Sequence, residues 1–204
     1  MKEYHKIQSV FKRDEKNHKF IIGQYSRDEF GFLENNRWVF TEKVDGTNIR
    51  IGWDTMDVLI GGKTDNAQLH LDLIKELQKL FPKEKFIDLY PDVQMTLYGE
   101  GYGSGIQKGG GKYSVTKTFV LFDVLINGFW LSRENVNDIS EKLGIRSVPV
   151  VGGGTICELI EIVKSGFKST WGDFIAEGIV ARPEVELYAR NGQRIITKVK
   201  HIDF

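Results

Sequence analysis

The stretch Arg37-Trp38-Val39-Phe40-Thr41-Glu42-Lys43-Val44-Asp45-Gly46-Thr47-Asn48-Ile49-Arg50-Ile51-Gly52-Trp53 decides the fold. Trp38-Val39-Phe40 enters a strand that runs to Lys43, Asp45-Gly46 reads as a turn, and Asn48 to Trp53 alternates at period two. Working outward, Asp57 to Gly62 predicts another short strand. Leu69, Leu73, Leu77 and Leu80 fall on one face of a helix over Leu69 to Phe81, which Pro82 stops. Val93 to Gly99 and Thr118 to Ile126 predict strands, the second apolar enough to be buried on both faces. Arg133 to Leu143 and Ile156 to Ser165 predict short helices, and Ile179-Val180-Ala181 and Ile195 to Val199 predict closing strands. Lys2 to Phe32 carries only weak strand or turn character. The strands do not alternate with helices as regular βαβ units, so the expected class is α+β with antiparallel sheets.

The bulk properties agree with one ordinary domain over 1–204. Its 204 residues suffice to bury a substantial core, and 41% are hydrophobic. The 28 basic and 28 acidic side chains cancel, which excludes a chain coated uniformly by nucleic acid but not a local basic groove. Cys157 is the single cysteine, so no internal disulfide forms and a reducing compartment is expected. No apolar run approaches the roughly 20 residues of a membrane span, and the polar start Met1 to Lys6 is no signal peptide. These features read as a cytoplasmic protein with no membrane partner.

Five islands carry chemistry, in this order: Lys43-Val44-Asp45-Gly46; Glu100 between Gly99 and Gly101; Phe122-Asp123 closing an apolar run; Glu177-Gly178-Ile179-Val180; and Lys198-Val199-Lys200. A lysine amine is a nucleophile only when deprotonated. With an ordinary pKa near 10.4, about one in 2,500 is neutral at pH 7, so a reactive lysine needs neighbouring cations or desolvation. Lys198 and Lys200, two apart on a strand, point to one face and can supply that field and meet phosphate charge. Asp45, Glu100 and Glu177 are hard oxygen donors for a divalent ion or its bound water. From its neighbours alone Phe122 reads as core.

Together these islands resemble motifs I, III, IIIa, IV and V of the covalent nucleotidyltransferases, the superfamily of ATP-dependent ligases and capping enzymes. Glu42-Lys43 followed by Gly46-Thr47-Asn48, the run Gly105-Ile106-Gln107-Lys108, and Arg190-Asn191-Gly192 ahead of the final Lys-x-Lys make the chain most similar to the RNA ligase 2 family. The resemblance spans essentially the whole chain as an adenylyltransferase domain. It implies antiparallel sheets flanked by helices around a nucleotide-binding cleft. It also implies an ATP-dependent RNA ligase, in which Lys43 takes AMP from ATP, passes it to a 5′-phosphate end, and a 3′-hydroxyl displaces it. ATP, a covalent AMP intermediate and Mg²⁺ or Mn²⁺ follow as cofactors, and RNA ends or a nicked duplex as partners.

The same resemblance assigns residues. Glu42 accepts from the adenine amino group, Phe122 stacks on the base, Glu100 meets the ribose, Asn48 serves the phosphates and the RNA end, and Glu177 lies near the metal. Lys63 stands where the family usually carries arginine and lacks that residue's bidentate fork. Such ligases often continue into a C-terminal domain. None is expected here past Lys200, so the chain reads as a minimal ligase or one whose partner protein supplies that surface. A compact enzyme of this type suits a phage repairing RNA damage.

Two other readings share these motifs: a DNA nick ligase or capping guanylyltransferase built on the same domain, and a catalytically silent nucleotide- or nucleic-acid-binding module. The glycine-rich run Gly101 to Lys112 fits no P-loop pattern. It reads either as a mobile loop offering Lys108 and Lys112 to RNA phosphates, or as a flexible connection. His5, His18, His70 and His201 have no zinc spacing. Cys157 reads as buried core, and Trp38, Trp53, Trp130 and Trp171 as core or rim packing.

Overall fold

The computed structural model describes residues 1–204. In chain order it has β1 (Gln8–Ser9), β2 (Phe11–Arg13), β3 (Phe20–Tyr25), α1 (Asp28–Phe32), β4 (Trp38–Lys43), β5 (Thr47–Trp53), β6 (Val58–Gly61), α2 (Leu71–Leu80) and α3 (Lys83–Leu89). There follow β7 (Met95–Tyr102), α4 (Gly110–Tyr113), β8 (Thr118–Ile126), β9 (Phe129–Trp130), α5 (Arg133–Leu143), β10 (Arg146–Ser147), β11 (Val150–Gly154), α6 (Ile156–Ser165), β12 (Gly178–Pro183), β13 (Thr197–Lys200) and a closing 3-10 turn, His201–Asp203. The class is the expected α+β with mainly antiparallel sheets. No helix is long and apolar enough to cross a membrane. The chain divides into two compact units: Met1–His5 with Val44–Val148, and Lys6–Lys43 with Pro149–Phe204.

The first unit is built on the sheet β10-β8-β7-β5-β6, with β9 paired to β8. Period-two alternation sends Ile49, Ile51 and Trp53 of β5 into a core shared with Leu97, Leu121, Val124 and the helices. Asn48, Arg50 and Gly52 therefore occupy the other face. The Leu73–Leu77 stripe of α2 is fully buried, as its spacing predicts. The helix starts at Leu71 because the His70 ring accepts from Asp72 N as N-cap. Pro82 ends α2 and is also the N-cap of α3, a helix the leucine spacing did not foretell. α5 is bounded by chemistry visible in sequence: Ser132 accepts from Asn135 N, and Gly144 closes the helix in the left-handed conformation.

The N-terminal segment belongs to this unit, which its mixed composition did not reveal. Arg50 is fully buried, and its guanidinium donates to Gly62 O (2.6 Å), Met1 O (2.9 Å) and Asp65 (2.8 Å). Tyr98 Oη donates to Lys2 O, and Tyr4 Oη to Asp123. Met1–Tyr4 is thus strapped to the face opposite the core.

The second unit is built on β1-β13-β12-β4-β11, antiparallel except for the parallel β1–β13 pair. Trp38, Phe40, Ile179, Ala181 and Val199 pack against Ile156, Leu159, Ile160 and Val163 of α6. A reciprocal Thr155–Glu158 capping box starts α6. The hairpin β2–β3 adds Phe11, Phe20 and Tyr25, contacts not legible in the polar N-terminal sequence. Cys157 is exposed rather than buried, because the apolar stripe of α6 runs through its neighbours Ile156 and Ile160.

Removing one buried side chain separates core from surface. Leu77→Ala should cost about 2–5 kcal/mol in denaturant unfolding, whereas Leu71→Ala, on the exposed side of α2, should stay within about 0.5 kcal/mol.

Candidate active site

β12 lies between β4 and β13, and its register sets the chemistry of the second unit. Gly178 pairs with both Lys43 and Lys200; Ile179 pairs with Glu42 and Val199; Val180 pairs with Thr41 and Lys198. Directly paired residues share a face. Lys43, Gly178 and Lys200 therefore form one row, Thr41, Val180 and Lys198 the next row on the same face, while Ile179 and Val199 enter the core. A side chain at position 178 has no room, since a Cβ there would lie 2.1 Å from Val199 O. That close approach is why a glycine follows Glu177.

Glu177 sits at the head of this row. Its Oε2 accepts from Lys43 Nζ at 2.7 Å, and its Oε1 is 2.6 Å from Lys200 Nζ. Its backbone oxygen accepts from His201 N, which fixes the turn after Lys200. One carboxylate thus bridges two ammonium groups that stand on either side of Gly178. With Lys198 on the same face, three cations meet one anion there, a field suited to phosphate. Lys198 has its pKa drawn below the ordinary lysine range, first by burial and then by the charges of Lys43, Lys200 and Arg13, while Asp203 acts in the opposite sense.

Glu42 points the other way from Lys43 and is 1% exposed. Its Oε1 accepts from Ser169 Oγ at 2.5 Å, and its Oε2 from Thr170 N at 2.9 Å and Thr170 Oγ1 at 2.8 Å. A carboxylate offers about four acceptor sites, so about one is left beyond these three. Ser169 and Thr170 carry no motif and were found only through the fold.

In the first unit, Asn48 pairs with Glu100, and Arg50 with Tyr98, on the face away from the core. Asn48 Oδ1 is buried with no hydrogen-bond partner, an orphaned acceptor. Gly46 makes the approach to Glu100 possible: a Cβ at position 46 would lie 2.3 Å from Gly101 O and 2.8 Å from Glu100 Cγ. Phe122 is not core. The β7–β8 register shifts between Tyr98–Asp123 and Gly99–Leu121, which leaves Phe122 as the extra residue of a β-bulge. The bulge lets Leu121 and Val124 both enter the core while Phe122 turns to the opposite face, half-buried, its ring 5.0 Å from that of Tyr4 at 69°. Arg133 Nη2 secures the bulge by donating to Phe122 O at 2.5 Å. Asn48, Glu100 and Phe122 therefore share one sheet face.

Asp45 Oδ2 accepts from Gly109 N at 2.9 Å, and a Cβ on Gly109 would lie 2.6 Å from that oxygen. The glycine-rich run is therefore closed onto the Asp-Gly turn. It contains the short helix α4, and Ser104 N bonds Ser114 O across its base. Lys63, Lys108 and Lys112 are exposed on this unit. No group of three or more His, Cys, Asp or Glu side chains is placed to hold a metal ion. Of the expected oxygen donors, Asp45 accepts from Gly109 and Glu177 bridges two lysines.

The chain matches the RNA ligase family model over residues 36–200 and belongs to that family. No curated protein matches it. Among solved structures it is similar to Naegleria gruberi RNA ligase. A variant of that enzyme with ATP and Mn gives TM-score 0.70 at 15% identity, covering 96% of this chain and 55% of that one. An apo variant gives 0.69 at 14% identity, covering 86% and 52%. The form with PPi gives 0.66 at 14% identity, covering 98% and 62%. The chain spans little more than half the length of these structures, and the likeness establishes the RNA ligase fold.

Lys198 gives a test of the charge row. Its depressed pKa means that the charged form opposes folding at neutral pH, and the penalty fades as pH rises through the folded value toward the ordinary one. Lys198→Met should therefore be more stable than the parent at pH 7, with the gap narrowing by pH 10 in denaturant titrations. A gap that widens with pH would contradict the assignment.

Proposed function

We propose that the chain is an ATP-dependent RNA ligase in which Lys43 is the covalent carrier of AMP. The observation that carries this reading is the sharing of Glu177 by Lys43 and Lys200 across β12, with Lys198 on the same face. In the first step Lys43 Nζ loses its proton and attacks the α-phosphorus of ATP. A P–N bond forms, the α–β P–O bond breaks, and pyrophosphate leaves. Glu177 Oε2, already in hydrogen-bond contact with Nζ, is placed to receive or relay that proton. Lys198 and Lys200 meet the charge gathering on the phosphate oxygens. The AMP then passes to a 5′-phosphate oxygen of RNA, which breaks the P–N bond. A 3′-hydroxyl attacks that 5′-phosphorus, forming the phosphodiester and releasing AMP.

Phe122, Asn48 and Glu100 share one sheet face, which supports their assignment to base, phosphate and ribose. The remaining acceptor site of Glu42 suits the adenine amino group. Mg²⁺ in nucleotide enzymes binds through one or two carboxylates together with phosphate oxygens and water. Asp45, Glu100 and Glu177 are the carboxylates from which such ligands are assigned, and such an ion, Mg²⁺ or Mn²⁺, would offset phosphate charge. The exposed Lys108 and Lys112 are assigned to the RNA backbone, and Lys63 to ribose or phosphate.

Incubation with α-labelled ATP or GTP and a divalent ion, followed by denaturing electrophoresis, tests the reading. Label from ATP that is lost in Lys43→Ala is expected. Label from GTP alone would instead mark a guanylyltransferase, and absence of label from either nucleotide overturns the enzyme readings. Nicked duplexes with RNA or DNA on the 3′-hydroxyl side should be sealed preferentially with RNA; equal sealing of all-DNA nicks would favour a DNA ligase.

A further inference from the structure

The strand bearing Lys198 and Lys200 is four residues long, and its outer neighbour β1 is two. All four of the β13 residues pair with β12, but on the outer side only Thr197 and Lys198 have partners in β1, and Lys200 is held there by a separate tie. The tie is Asp203, which is fully buried. Its Oδ2 accepts from Lys200 N at 3.0 Å, and its Oδ1 lies 2.7 Å from Arg13 Nη2. The same Nη2 donates to Ser9 Oγ at 3.0 Å, and Ser9 is the β1 residue paired with Lys198. Arg13 also lies over the Phe20 ring at 5.3 Å, and Phe204, next to Asp203, meets that ring edge-on at 5.5 Å.

Asp203 is fully buried while Arg13 keeps 34% of its side chain exposed, and a pair of this kind adds little net stability, so its use lies in geometry. Here the geometry fixed is that of the two lysines. We propose that Asp203, through Arg13, is a positioning residue for the lysine pair, clamping Lys200 by its backbone and Lys198 through the strand beside it. Neither Asp203 nor Arg13 needs to touch the nucleotide for this. The clamp sets where two ammonium groups stand when phosphate charge develops, and preorganised charge acts on the transition state more than on ground-state binding. The inference rests on the adenylylation reading given above.

The test measures the rate of Lys43-dependent labelling as a function of ATP concentration in Asp203→Asn and Arg13→Met, alongside thermal unfolding. A misplaced charge should lower the maximal rate by about 10-fold to 100-fold while the KM for ATP stays within about 3-fold, with both variants folded. Arg13→Lys, which keeps the charge but loses the fork, should recover part of the rate. If Asp203→Asn does not fold, the comparison of Arg13→Met with Arg13→Lys decides in the same way. Folded variants with maximal rates within about 2-fold of the parent overturn the inference, as does a raised KM at an unchanged maximal rate. Label on the parent with unimpaired variants removes this inference alone. No label on the parent removes the ligase reading and this inference with it.

Discussion

One carboxylate organises the reactive face of the second unit. Glu177 accepts Lys43 on one oxygen and Lys200 on the other, from the head of β12, which has β4 on one side and β13 on the other. Partly buried like charges repel, and without Glu177 the ammonium groups of this face would press against one another through a weakly screening medium. Shared between them, Glu177 allows a surplus of positive charge to persist on this face. Lys198, half-buried on the same face, has its pKa drawn down first by desolvation and then by the charges of Lys43 and Lys200.

The sheet and the site depend on one another through alternation. Trp38 and Phe40 face α6, so Lys43 must face away from the core; Val199 faces the core, so Lys198 and Lys200 must not. The same logic in the first unit puts Asn48 and Glu100 on the face opposite Ile49 and Leu97. The β8 strand escapes this rule at one residue. Its bulge permits Phe122 and Asp123 to occupy the same face in succession, which strict alternation forbids.

Much of this was legible in the sequence. The strand–turn–strand around Lys43, the stripe of α2, the bounds of α5 and α6 and the limits of β8 follow from local periodicity. The five islands were legible as a set because their residue types and order carry the chemistry. What escaped was what depends on partners distant in the chain. Phe122 reads as core because a bulge leaves no mark in an apolar run. Cys157 reads as core because one residue's offset on a helix decides its face. The apparent mobility of the glycine-rich run could not reveal the bond from Gly109 to Asp45. The acceptors of Glu42 are claimed by Ser169 and Thr170, residues 127 and 128 positions away. The N-terminal segment looked featureless because its anchors, Arg50, Tyr98 and Asp123, all lie elsewhere.

The central claim is that Lys43, and not its equally positive neighbours, forms the bond to AMP. Peptide mass spectrometry after incubation with ATP and a divalent ion addresses it directly, using the acid lability of a P–N bond to distinguish the adduct from a phosphate ester. The account predicts a single AMP on the peptide containing Lys43, removed by acid and absent when Lys43 is replaced. An adduct on Lys198 or Lys200 instead, or an AMP that persists after Lys43→Ala, would contradict it.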